Sequence, residues 1–196
     1  MSTLPAFTQL GLLPPGDYPL TLDELRESML VRGPAQAPSQ PAWETAWDAD
    51  WRLELVNNLA ALVPQLWAVG IDEIFIDGSF VEDKDHPNDI DGYFVCDPHR
   101  FASGELEHEL NKLDPRKCWT WADAARTRSL GSAKRQLPMW HAYRVELYPH
   151  FAGLIAAVDK HGHPLEFPAF FRKTRADDRP KGIVRITKTT QHGATP

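Results

Sequence analysis

Ile74-Phe-Ile-Asp-Gly-Ser-Phe80, followed after a charged loop by Pro87-Asn-Asp-Ile-Asp-Gly-Tyr-Phe-Val95, decides how this chain of 196 residues folds. Ile74 and Ile76 alternate with Phe75 over Glu73–Asp77, the pattern of a short strand that ends at Gly78-Ser79. Asp91–Cys96 reads as a second strand, and Gly78–Asn88 between them as a loop rich in charge. Successive strand residues point to opposite faces, so Asp89 and Asp91 share one face and Ile90 takes the other. Two carboxylates side by side repel each other unless a divalent cation neutralises them, and hard oxygen donors suit Mg2+. Gly78 lets the backbone turn sharply and a phosphate come close, with the Ser79 hydroxyl and nearby amides as donors.

A two-metal arrangement calls for a third carboxylate, and Glu146 is the candidate. His141–Tyr148 reads as a third strand, in which Val145 and Leu147 face the core and Arg144, Glu146 and Tyr148 face away. If that strand lies beside the one opened by Asp91, the three acids converge. Asp77 is the alternative member if Glu146 points elsewhere. Lys84, inside the loop, either reaches triphosphate oxygens or offsets Glu82, Asp83 and Asp85. Lys181, ahead of Gly182, either does likewise or is a surface lysine. His150 either assists a proton transfer near Glu146 or packs as an ordinary histidine. His161-Gly-His163 reads as a hairpin tip rather than a metal clip, because no further ligand stands at zinc-like spacing.

Working outward, Phe7–Tyr18 carries Gly11, Pro14, Pro15 and Gly16 and should be extended and turn-rich. Thr21 and Glu24 form a capping box that opens a helix through about Val31. Residues 32–42 hold Gly33, Pro34, Pro38 and Pro41 and read as a flexible linker or as a loop that orders only on contact with something. Trp43, Trp47, Trp51, Leu55, Leu59 and Leu62 recur at helical spacing, with Pro64 expected to kink or restart the helix. Further helices are expected over Glu105–Leu113 and Trp119–Leu130, and a late strand over Ile183–Thr187. The predicted organisation is an extended and helical segment with its linker (1–41), a domain (42–188) and a tail (189–196). The fold class is α/β (α+β), a small mixed sheet backed by helices.

The chain is 42% apolar and 10% aromatic, enough for a real core. No apolar run approaches the roughly 18 residues of a membrane span, no secretory signal pattern is visible, and the two cysteines suit a reducing compartment, so a cytoplasmic location is expected. Net charge is −6, but it is divided unevenly: residues 1–115 hold 6 Lys/Arg against 21 Asp/Glu, residues 116–196 hold 15 against 6. The basic half either meets an anionic ligand or complements the acidic half within the fold. Arg126, Arg128, Lys134, Arg135 and Arg144, with Trp119, Trp121 and Trp140 nearby, are candidates for single-stranded nucleic acid such as an RNA end.

The Gly-Ser, spacer, Asp-x-Asp pattern of Gly78-Ser79 and Asp89-Ile90-Asp91 resembles the DNA polymerase β-like nucleotidyltransferase superfamily. Over nearly its full length the chain looks like a bacterial family of small proteins, the DUF6932 type. That likeness rests on Gly11-Leu-Leu-Pro-Pro-Gly16, Ile76-Asp-Gly-Ser-Phe-Val81, Pro87-Asn-Asp-Ile-Asp91 and Lys181-Gly-Ile-Val184. The resemblance implies a minimal nucleotidyltransferase fold, two Mg2+ or Mn2+ ions on Asp89, Asp91 and Glu146, and an NTP triphosphate on Gly78 and Ser79, with Lys84 and Lys181 in reach. Asp91 would bridge both ions, and Glu146 stands where the superfamily more often has Asp. The implied reaction is transfer of NMP to an RNA, tRNA included, or to a protein. A partner from the same operon, in a toxin–antitoxin or phage-defence pair, fits a chain without a separate acceptor domain. The competing expectations are an inactive nucleotide-binding or interaction module and a metal-dependent phosphohydrolase.

Overall fold

The computed structural model describes residues 4–34, 46–129 and 134–189. In chain order its first elements are β1 (Asp17–Leu20), α1 (Leu22–Glu27), α2 (Met29–Arg32), α3 (Ala49–Ala68), β2 (Ile74–Asp77), β3 (Ile90–Val95), α4 (Pro98–Ala102) and α5 (Glu105–Leu113). There follow β4 (Thr127–Arg128), β5 (Arg135–Gln136), α6 (Pro138–Tyr143), β6 (Val145–His150), β7 (Ile155–Val158), β8 (Pro164–Glu166), α7 (Phe167–Phe171) and β9 (Ile183–Ile186).

Five strands form one mixed sheet in the order β1-β9-β2-β3-β6. β2 runs antiparallel to both neighbours, while β1 with β9 and β3 with β6 are parallel pairs. The expected mixed sheet backed by helices is therefore present, and the N-terminal segment supplies its edge strand. Alternation divides the sheet's two faces. Ile74, Ile76, Ile90, Phe94, Val145, Leu147, Val184 and Ile186 pack with Leu55, Leu59, Leu62, Val63 and Leu66 of α3 into the main core. On the other face Phe75, Tyr93, Phe171 and Ile183 form a second, aromatic cluster under α7. Phe75 and Tyr93 stack at 4.8 Å between centroids.

Several local expectations change in the fold. The Thr21 capping box is made in full, but Ser28 breaks the run into α1 and α2 by capping Leu30 with its own hydroxyl. α3 starts at Ala49, capped by Asp48 onto the Trp51 amide, so Trp47 lies ahead of it; Trp43 and residues 35–42 of the predicted linker lie outside the described residues. Trp47 instead donates its indole N–H to Val31 and stacks on Arg52. Pro64 sits inside a continuous helix, since burial of Leu62, Val63 and Leu66 holds the turn whose hydrogen bond it forgoes.

The described part of Trp119–Leu130 is not helical. Trp119 and Trp121 send their indole N–H groups to Gln65 and to the Leu147 carbonyl, which fixes an extended run, and only a 3-10 turn (Asp123–Ala125) and β4 follow. The predicted strand over 141–148 begins later: Pro138 opens α6, Arg144 closes it in the left-handed region (φ 54°), and β6 starts at Val145. His161 and His163 do form a hairpin tip, their amides both donating to Asp159 Oδ1 at 2.8 Å. The predicted tail beyond Thr189 lies outside the described residues.

Candidate active site

Strand register assembles the site. Asp77 of β2 is the cross-strand partner of Asp91 of β3, and Asp91 is in turn the partner of Glu146 of β6. Cross-strand partners share a face, so three acids stand in a row across three strands, on the face carrying the aromatic cluster. Asp89, two residues before Asp91, joins them. The row stands at the end of a cleft of about 730 Å3 lined by Asp77, Gly78, Ser79, Lys84, Asp89 and Asp91, among others.

Gly78 turns the chain out of β2 with φ +74°, and a Cβ there would lie 2.9 Å from Asp91 Oδ2. Only glycine meets both demands. A 3-10 turn over Gly78–Val81 then carries Ser79 to the cleft wall. The loop beyond it is tied down by Arg52, a fully buried residue of α3. Its guanidinium donates to the carbonyls of Leu30, Phe80, Glu82 and Lys84 at 2.6–3.1 Å. Burial lowers its pKa to about 10, countered in part by the charges of Asp83 and Asp85.

Electrostatics set Asp91 and Asp77 apart from ordinary carboxylates. Burial first, then the charges of Asp89 and Glu146, push the Asp91 carboxyl up to about 7, against the pull of Arg175 and Lys134. Arg175 approaches Asp91 Oδ2 at 3.7 Å. Asp89 is oriented by the Trp140 indole N–H, which donates to its Oδ2 at 2.7 Å, and Arg144 lies over that indole at 3.9 Å. Asp77 is buried and likewise raised to about 7, mainly by desolvation, although Lys181 Nζ stands 3.2 Å away.

Glu146 sits next to Asp91 as its spacing predicted, yet its carboxylate is engaged. It accepts from the Leu137 amide at 2.8 Å and the Tyr148 hydroxyl at 2.6 Å, with Arg126 at 3.6 Å, and it is not among the residues lining the cleft. Tyr148 in turn has its hydroxyl pKa raised by burial and by Glu146, so it remains a proton donor. Among the described residues no three His, Cys, Asp or Glu side chains are disposed to hold one ion as they stand. The donor set still fits a hard cation at Asp89 and Asp91: adjacent carboxylates, one of them driven towards its neutral form by burial and by the charges beside it.

Lys181 is not a surface lysine. It is buried beneath the Gly78 turn, paired with Asp77 and Glu82 and within 3.3 Å of the Gly78 carbonyl. Lys84 is exposed at the cleft wall, and no ion pair ties it to Glu82, Asp83 or Asp85. His150 packs edge-on against Tyr93 with Glu166 at 3.6 Å, an aromatic-cluster residue; burial lowers its pKa. Sequence reasoning missed Arg52, Arg175 and the bond from Trp140 to Asp89; the partners lie 22 to 84 residues away and leave no local spacing to read.

A family model described as a family of unknown function (DUF6932) matches residues 5–187, so the chain belongs to that family. No curated protein and no solved structure matches it. No helix among the described residues is long and apolar enough to cross a membrane.

Proposed function

We propose that this member of DUF6932 is a nucleotidyltransferase of the DNA polymerase β-like kind, moving NMP from an NTP to an RNA or protein acceptor. The observation that carries this reading is the convergence of Asp91 with Asp89 and Glu146 at the end of the Gly78-Ser79 cleft, where burial and then their charges raise the Asp91 carboxyl. Asp89 and Asp91 would hold Mg2+ or Mn2+, with Glu146 behind them. When bound, the metal supplies charge to the departing pyrophosphate and lowers the pKa of the acceptor hydroxyl.

The chain's own residues do the positioning. Gly78 admits a phosphate close to the backbone, and Ser79 and Lys84 offer donors along the same wall. Lys173, Arg175 and Arg179 line the cleft from the segment before β9 and balance triphosphate charge. Lys181, already neutralised by Asp77 and Glu82, holds the Gly78 turn in shape from below. The acceptor hydroxyl gives its proton to solvent water, its oxygen forms a bond to the α-phosphorus, the bond from that phosphorus to the bridging oxygen breaks, and pyrophosphate leaves.

One observation favours a second reading, an inactive nucleotide-binding module: the Glu146 carboxylate is already satisfied by Leu137, Tyr148 and Arg126. Product analysis separates the possibilities. Purified protein is incubated with each NTP, Mg2+ and either total RNA or a protein extract. Pyrophosphate release that depends on an acceptor supports the transferase. Acceptor-independent orthophosphate or NMP marks a phosphohydrolase, and NTP binding without any product marks the inactive module.

A further inference from the structure

We propose that the acceptor is the end of a single-stranded nucleic acid, held by the two-stranded ribbon of β4 and β5, an assignment that rests on the transferase reading and narrows its acceptor to one class. The sheet itself separates two sides. Asp91 is central in the acid row, with β2 and the Gly78 turn on one side and β6 with Glu146 on the other. In-line displacement puts the incoming nucleophile opposite the leaving pyrophosphate. With the triphosphate along the Gly78 turn, the acceptor comes from the β6 side.

On that side stands Arg126, 3.6 Å from Glu146, and next to it the ribbon, whose Lys134 and Gln136 line the cleft together with Ser129. In the ribbon Arg128 is directly opposite Arg135, and both are exposed. Like charges at facing strand positions repel, and a ribbon this short is marginal even without that cost. Arg135 spends its guanidinium on the Arg126 carbonyl, at 2.7 and 3.0 Å, and neither Arg128 nor Arg135 is paired with an acid among the described residues. A phosphate backbone laid along Arg126, Arg128 and Arg135 relieves this repulsion and leads a terminal hydroxyl towards Asp91. The chain's overall charge of −6 opposes generic adhesion to a duplex, so the ribbon selects a single strand whose end can enter the cleft.

The test uses fluorescein-labelled single-stranded RNA and DNA oligonucleotides of about 12 nucleotides, within the usual site size for such proteins, and a duplex of the same sequence. Fluorescence anisotropy is followed against salt. The full chain should bind at least one single strand, and more tightly than the duplex. The double variant Arg128→Glu/Arg135→Glu should bind at least 10-fold more weakly, with a log–log salt slope shallower by about 1.4, the value for two lost single-strand phosphate contacts. Arg128→Lys/Arg135→Lys should retain binding, and unchanged circular dichroism excludes misfolding as the cause. Tight binding unaffected by charge reversal, equal affinity for the duplex, or no binding of either single strand overturns the assignment. The two readings fail separately. Oligonucleotide held by the ribbon but never extended with any NTP upholds the ribbon site and removes the transferase. A labelled protein in nuclease-treated extract, with no oligonucleotide bound, upholds transfer and replaces the acceptor with a protein.

Discussion

Three influences meet on one carboxyl at Asp91: loss of water, and the charges of Asp89 and Glu146 beside it. Its folded pKa of about 7 stands above the ordinary 3.8, so between these values the folded chain keeps a proton that the unfolded chain has lost. Stability therefore falls as pH rises from about 4 to about 7. In EDTA, the thermal midpoint should decline across that window by an amount on the order of a few kcal/mol in stability. Asp91→Asn should flatten the decline, leaving the part due to Asp77, which is also raised to about 7. Added Mg2+ at neutral pH should raise the midpoint of the native chain and not of the variant, since a ligand stabilises only the state that binds it. A midpoint rising with pH over the same window contradicts this assignment. At this scale Gly78, Ser79, Asp89 and Asp91 were legible because glycine's turn and the i, i+2 carboxylates are local signals. The place of Lys181 was not, since its partners Asp77 and Glu82 lie about 100 residues earlier in the chain.

Among the elements, the loop between β2 and β3 has a fixed shape because α3 reaches across to it. Arg52 spans to Phe80, Glu82 and Lys84, while Trp51 donates to Pro87 and stacks on His86 at 5.2 Å. Arg52→Met removes donors from four carbonyls and keeps much of the bulk. Unfolding in urea should show a loss of about 3–5 kcal/mol, with limited proteolysis opening the chain between residues 80 and 88 first. An effect below about 1 kcal/mol sinks the idea that Arg52 shapes the loop. Strands β2, β3 and β9 and helix α5 were readable from periodicity alone. The errors came where indoles or prolines decide: Trp119 and Trp121 hold an extended segment through bonds to Gln65 and Leu147, and Pro138 starts a helix where alternation suggested a strand.

Over the whole molecule, the two ends of the described chain close on each other beside the cleft. Leu13 accepts from the Gly182 amide at 3.0 Å, Gly16 from Ile183 at 3.0 Å, and Gly11 from Asp83 at 2.8 Å. The motifs Gly11–Gly16 and Lys181–Val184 are thus one interlocked unit that backs the Gly78 turn. A Cβ at Gly182 would meet the Pro14 carbonyl at 2.4 Å and the Tyr18 ring at 2.5 Å. Gly182→Ala should cost about 2–4 kcal/mol in denaturant unfolding, and a neutral substitution contradicts the interlock. No sequence periodicity links residue 13 to residue 182, so this closure emerges only once β1 pairs with β9. The cleft that this closure supports is most directly tested by transfer of label from NTPs carrying 32P at the α-position, in Mg2+ and with cell extract. Acid-stable label on an acceptor with the native chain, absent with Asp91→Asn and absent when the label is moved to the γ-position, is the predicted result. No label from any of the four NTPs, or label that survives Asp91→Asn, contradicts it.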